Sequence, residues 1–166
     1  MDNQLKRAWL ETKVRELAES IHGEVETLSD VTVLRIKGEY ILPTLKRAMT
    51  FPEVPCDFFH DLTVLDLNDH FDVVYQLLNE EFSLWLRVKA TISKANPLID
   101  SATSLWPGAD WLEREAYDMF GVIFRGHPNL KRIYMWDDFE GYPLRKDYVT
   151  ESLEQRSILR IEKEGE

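Results

Sequence analysis

The sequence predicts an α+β fold: an N-terminal helix–hairpin–helix and a mainly antiparallel sheet packed on helices, followed by a C-terminal helix and a long extended partner-binding segment. Three observations lead there. Apolar residues recur at helical spacing in the first twenty residues and again after position 110. The middle of the chain alternates with period two in three successive runs, as a meander does. All periodicity then fades between Arg125 and Tyr148 while aromatics accumulate. Strands grouped beside segregated helices argue for α+β layering.

The elements follow in order. Leu5, Trp9, Leu10, Val14, Leu17, Ala18 and Ile21 form one apolar stripe among charged residues, and Gly23 is the expected stop. Runs 24–28 and 31–36 read as two short strands, with Ser29-Asp30 as a tight turn. Residues 41–49 read as a second helix, with Pro43 in the first turn, where a missing N–H costs little. After the breaker 51–55, strands are expected over 58–67, 71–78 and 82–92. A loop bracketed by Asn96-Pro97 and Trp106-Pro107-Gly108 holds one helical turn from Ser101. The next helix opens on a capping box, with Asp110 as N-cap and Glu113 three residues on. Leu112, Ala116, Met119 and Phe120 make its apolar face, Gly121 closes it in a left-handed turn, and 122–124 is a short strand. The organisation is then an α+β domain over 1–124, an interaction segment over 125–148 and a polar tail over 149–166.

Composition narrows the function classes. The 166 residues suffice for one core, and the charged fraction of 30% is that of a globular chain. No run approaches the roughly 20 apolar residues of a membrane span. The start of the chain has neither a signal core nor transit character, so a cytoplasmic protein is expected, reaching a membrane only through partners. A net charge of −10 repels nucleic acid and anionic lipid overall, although a local basic patch stays open. The single cysteine, Cys56, cannot hold an iron–sulfur cluster or a structural zinc alone. Its neighbour Asp57 argues against an activated thiol.

The polar groups offer little catalysis. Glu113-Arg114-Glu115-Ala116-Tyr117-Asp118 is the densest, with Arg114 placed to pair with Asp118 at i,i+4 and to keep both Glu113 and Asp118 ionised. His60, Asp61, Asp66, Asp69, His70 and Asp72 crowd one hairpin but fall on both faces of period-two strands, so a solvated hairpin outweighs a metal site. His127 is a turn residue, a partner contact or a proton carrier. There is no dinucleotide fingerprint, phosphate loop or nucleophile elbow.

Aromatics tell more. Ten of the 19 lie within 106–148, and 125–148 carries +1 against −11 for the remainder. A structureless stretch longer than about 15 residues is usually functional or disordered, and this one is too aromatic for disorder. Partner contact outweighs packing on its own domain, because Tyr, Trp, Phe and Arg are the residues of interface centres.

Trp106-Pro107-Gly108-Ala109-Asp110-Trp111-Leu112-Glu113-Arg114-Glu115-Ala116-Tyr117-Asp118-Met119-Phe120-Gly121 continues into Phe124-Arg125-Gly126-His127-Pro128-Asn129-Leu130-Lys131-Arg132-Ile133, and then Gly141-Tyr142-Pro143-Leu144-Arg145-Lys146-Asp147-Tyr148. This series resembles the signature of the thirty-kilodalton (C) subunit family of respiratory complex I. Asp61–Asp66 and Val73-Val74-Tyr75 resemble the family's hairpin, so the likeness runs from about Phe58 to Tyr148. Tyr142 departs from it, standing where His or Trp is usual. The resemblance implies a non-catalytic assembly subunit of proton-translocating NADH:quinone oxidoreductase, bacterial and unfused, peripheral on the cytoplasmic face of the inner membrane. It implies no cofactor on this chain, with FMN, iron–sulfur clusters and quinone held by other subunits. The implied partners are the hydrogenase-like D subunit and the cluster-bearing B and I subunits. Glu113, Arg114, Glu115, Asp118, His127, Pro128, Arg132, Arg145, Lys146 and Asp147 occupy its signature positions and are expected to fix the loop and the contact between subunits. A counterpart in a membrane-bound hydrogenase, a formate hydrogenlyase or a ferredoxin- or deazaflavin-accepting complex is the alternative. A stand-alone acid–base enzyme using Glu113, Asp118 and His127 is a more distant one.

Overall fold

Helices cover one face of a five-stranded sheet in the computed structural model, which describes residues 3–28 and 31–149. The elements are α1 (Asn3–Ile21), β1 (Glu24–Thr27), β2 (Val31–Lys37), a single 3-10 turn (Gly38–Tyr40), α2 (Ile41–Met49), β3 (Phe58–Asp66), β4 (His70–Asn79), β5 (Leu84–Ser93), β6 (Leu98–Asp100), α3 (Ala109–Phe120) and β7 (Ile123–Arg125). The expected α+β class holds, and most boundaries lie within two residues of those read from the pattern. The Ser29-Asp30 turn and the tail from 150 lie outside the described residues.

Sheet order is β1-β2-β5-β4-β3. The hairpin β1–β2 and the meander β3–β4–β5 are antiparallel, as expected. They join through β2 and β5, which run parallel in register from Val31↔Trp85 to Lys37↔Thr91. Strand alternation puts Leu34 and Ile36, Leu62 and Val64, Phe71 to Leu77 in steps of two, and Leu84 to Ile92 in steps of two on one face, all buried. Leu10, Val14 and Ala18 of α1 and Ile41, Leu45 and Ala48 of α2 complete that core. Cys56 lies within it, and burial first, Asp57 second, push its thiol up to about 12. It is therefore a small apolar core residue.

The bracketed loop after β5 hides a strand. Leu98–Asp100 is β6, and it pairs in parallel with β7, so the chain re-enters a small second sheet on either side of α3. The turn expected at Ser101 forms from Ala102, whose carbonyl accepts from the amides of Leu105 and Trp106. Trp106 then donates its indole N–H to the carbonyl of Asp57 at 2.6 Å and stacks on Phe59, tying this loop to β3.

Helix α3 differs from expectation at its start. Its first residue is Ala109, Gly108 precedes it, and no side chain caps it. The capping box is absent because Glu113 turns inward and spends its oxygens elsewhere. Asp110 lies in the first turn, where a carboxylate suits the helix dipole. The C-terminus behaves as read: Gly121, at φ +75°, donates its amide to Tyr117.

Gly121 is also a point of close approach. A Cβ there would lie 2.5–2.8 Å from three ring carbons of Tyr142. The left-handed conformation alone costs a side chain about 1–2 kcal/mol. Gly121→Ala should thus lose more than about 2 kcal/mol in urea unfolding. In a Tyr142→Ala background the same substitution should cost only the conformational part. An equal cost in both backgrounds would show that the ring does not press there.

Candidate functional site

The site is built around α3, whose buried polar residues reach in different directions. Glu113 and Asp118 are each fully buried and Arg114 nearly so. Glu113 turns toward the loop after β6: Ser101 Oγ donates to Oε2 and the Ala102 amide to Oε1, both at 2.6 Å. Among the described residues no cation answers it. Burial, reinforced by Asp110, pushes its carboxyl up to about 7 against the lowering effect of those two donors.

Asp118 faces the opposite way, under the segment 126–149, which forms no helix or strand and crosses α3 as a strap. Arg132 Nη1 donates to Asp118 Oδ1 at 2.8 Å. The amides of Ile133, Tyr134 and Met135 all donate to Oδ2, at 3.0, 2.7 and 3.0 Å. Three successive amides converging on one oxygen make an anion nest, here filled by the chain's own carboxylate. Burial alone would raise the Asp118 carboxyl. The amides of Met135 and Tyr134, the Arg132 guanidinium and the Ile133 amide outweigh it and hold the group below the usual carboxylate range.

Two expectations are corrected. Arg114 does not pair with Asp118; its Nε and Nη2 donate to the carbonyls of Lys131 and Arg132, and its guanidinium lies over the Trp111 ring. Helical i,i+4 neighbours meet only when both side chains lie along the surface, and Asp118 points away from it. Nor does Arg114 keep both carboxylates ionised, since Glu113 lies on the far side of the helix with neutral donors only.

The remaining strap residues form further latches. Arg132 reaches on with Nη2 to the carbonyls of Phe139 (3.1 Å) and Gly141 (3.0 Å). Tyr142 lies between the guanidinium groups of Arg132 and Arg145, each 5.4 Å from its ring centre, and packs edge-on to Tyr117. Tyr142 is thus a packed residue that lies over Gly121. Leu144 donates its amide to Met119, and Lys146 donates its amide to Asp66. Asp66 also pairs with Lys94. Burial would raise its carboxyl, but Lys94 and the Lys146 amide prevail and lower it.

Of the other signature residues, His127 is a hydrogen-bonded turn residue. Its side chain is buried, Nδ1 accepts from the Asn129 amide at 3.0 Å, and the proton therefore sits on Nε2, which donates to the Asp110 carbonyl at 3.2 Å. Glu115, Pro128 and the side chains of Lys146 and Asp147 are exposed. Arg145 packs over Phe71 and lies 3.9 Å from Asp147. In the acidic hairpin His70 lies 2.7 Å from Asp69 and 3.7 Å from Asp72, but among the described residues no three His, Cys, Asp or Glu side chains are grouped to hold a metal ion. The sequence carries no signal for the roles of Ser101 and Lys94, and Asp66 read only as one of the acidic hairpin residues, although it continues the inward alternation of Leu62 and Val64.

Strap and helix leave large apolar side chains uncovered. Trp111 is 63% exposed, Tyr134 62%, Trp136 57% and Leu144 56%. Trp111 stands beside the start of the strap through Arg114, whose guanidinium spans both.

Glu113 gives the free chain a pH signature. Its carboxyl is near 4.5 when unfolded and about 7 when folded, so the native state holds the proton longer. Stability should then fall as pH rises from about 4.5 to 7 and level off above, by roughly 3 kcal/mol for this group. Glu113→Gln keeps the bond from the Ala102 amide, lets its NH2 donate to Ser101 Oγ in place of accepting from it, and should remove that slope in urea unfolding across pH 4.5–8. A slope unchanged by the substitution would contradict the assignment.

Known proteins match most of the chain in sequence and in fold. The family described as respiratory-chain NADH dehydrogenase, 30 Kd subunit, matches residues 34–154. The C subunit of NADH-quinone oxidoreductase from Citrifermentans bemidjiense is 45% identical over 145 residues, 86% of this chain and 88% of that one. The first C subunit of NADH-quinone oxidoreductase from Rhizobium meliloti is 40% identical over 84% of this chain and 70% of its own. Among solved structures, a trypsin-resistant fragment (1-134) of Nqo5 superposes with a TM-score of 0.61 at 25% identity, over 73% of this chain and 99% of the fragment. A chain of a membrane-bound sulfane sulfur reductase, an archaeal respiratory membrane complex, shares the fold with a TM-score of 0.71 at 24% identity, over 90% of this chain and 89% of that one. The chain belongs to the family of the 30 Kd subunit of respiratory-chain NADH dehydrogenase.

Proposed function

We propose that this chain is a non-catalytic assembly subunit of a proton-translocating NADH:quinone oxidoreductase, and that α3 with the segment 125–148, most of it the strap, is its contact with the hydrogenase-like D subunit. One observation carries the reading. The strap is tied down by its polar atoms, through Asp118, Asp66 and Met119, while its Tyr134 and Trp136, like Trp111 of α3, stay exposed. A segment serving only its own core would do the reverse, burying rings and exposing polar groups. Trp and Tyr exposed on a rigid frame are the residues that carry binding energy at protein interfaces.

The polar signature residues then have a supporting role. Asp118, Arg132, Arg145 and the amide of Lys146 shape the surface, and Glu113 fixes the β6 loop to the back of α3. Electron transfer from NADH to quinone is the work of FMN, iron–sulfur clusters and quinone in neighbouring subunits, the cluster-bearing B and I subunits among them. This chain binds none of these groups. Its one thiol is buried and held protonated, which suits neither cluster ligation nor nucleophilic work. No helix among the described residues is long and apolar enough to cross a membrane. The place proposed for the chain is peripheral, on the cytoplasmic side, and reached through partners.

Trp111→Ala and Tyr134→Ala together should leave the melting temperature of the free chain within a few degrees and lower co-purification with the D subunit by at least tenfold. The isolated wild-type chain should oxidise no NADH. Undiminished co-purification would contradict the proposed surface, and NADH turnover by the isolated chain would contradict the non-catalytic role.

A further inference from the structure

Resting on the reading that the strap side faces a partner, we propose that residues 136–140 form a preshaped contact loop, and that its docking place is an apolar recess rimmed by basic residues on a neighbouring protein of the assembly.

The loop is pinned at both bases. On one side lie the amides of Ile133, Tyr134 and Met135, held by Asp118. On the other lies Gly141, at φ +86°, whose carbonyl accepts from Arg132 and whose Cα lies against the ring of Tyr148. The loop closes on itself where the Phe139 amide donates to the Trp136 carbonyl at 3.0 Å. The Phe139 ring stacks on Tyr148, meets Trp136 edge-on at 4.9 Å and lies under Arg132 at 5.7 Å. One guanidinium therefore serves both the Asp118 anchor and the loop. Most of the ordering entropy that a flexible loop would lose on docking is already spent.

What this frame displays is an indole and three carboxylates. Trp136 is 57% exposed, and Asp137, Asp138 and Glu140 are exposed. Among the described residues, none of these three carboxylates has an ion-pair partner within 4 Å, although Arg132, Arg145 and Lys131 belong to the same strap. The two arginines of the strap are instead engaged below: Arg132 on Asp118, and Arg145 on Phe71 and Tyr142. An apolar anchor ringed by one sign of charge calls for a recess ringed by the other, with the charges at the rim steering approach and excluding wrong partners. Nucleic acid and an anionic bilayer would be repelled by the same three carboxylates.

The test is made in the assembled complex, purified from cells expressing each variant, with retention of this chain read against salt concentration. Trp136→Ala should reduce retention about tenfold, as an interface anchor does. Asp137→Asn/Asp138→Asn/Glu140→Gln, which leaves the indole and the brace in place, should reduce it several-fold at low salt and flatten its salt dependence. If Trp136→Ala also lowers the melting temperature of the free chain, the charge variant decides alone. Wild-type retention and salt dependence for the charge variant, with retention lost in Trp111→Ala, would overturn the loop proposal and leave the contact surface standing. If Trp111→Ala is retained as well, the surface reading falls with it.

Discussion

A carboxylate with no access to water must be answered by donors, and Asp118 is the place where that requirement shapes the molecule. Among the described residues the donors come from four consecutive residues of the strap, Arg132 to Met135, and none from α3 itself. The chain after β7 therefore has to return across the helix. Once it does, Arg132 has a fixed position and a free second nitrogen, which gathers the carbonyls of Phe139 and Gly141. Those bonds bring Tyr142 onto Gly121 and, a few residues later, Lys146 onto Asp66. Backbone that makes no helix or sheet is made definite by side chains of the body beneath it.

The two buried carboxylates of α3 show how environment assigns roles. Both are fully buried and five residues apart on one helix. Asp118 has a guanidinium and three amides, and the charge is cheap to keep. Glu113 has one hydroxyl and one amide, with Asp110 nearby, and the proton is hard to lose. Each fastens a different stretch of irregular chain to the same helix, the β6 loop behind and the strap in front. Arg114, between them, holds the strap by its carbonyls rather than by charge pairing.

Much of this was legible in the sequence. Period-two runs located β3, β4 and β5, and the 3.6-residue stripe located α1 and α2, because those patterns record burial on a single face. The loss of any period after Arg125 marked the strap, and its aromatics marked a surface. The parallel β2–β5 pairing was not legible, because nothing local in either strand specifies a partner fifty residues away. The three residues of β6 carry too few positions to show alternation. At the site, sequence proximity misled: Arg114 at i,i+4 offered itself to Asp118, while the true partner lies fourteen residues on, across a turn that no period describes. Tyr142 read as a minor departure because its importance depends on the bare Cα of Gly121 beneath it.

Whether Asp118 holds the strap is decided by hydrogen exchange of the Ile133, Tyr134 and Met135 amides in the free chain, compared between the wild type and Asp118→Asn. With Asp118 as the anchor, the three amides are slow in the wild type and become fast together in the variant, while the amides of β4 and β5 stay protected in both. Fast exchange of all three in the wild type, with β4 and β5 protected, would contradict the anchoring role.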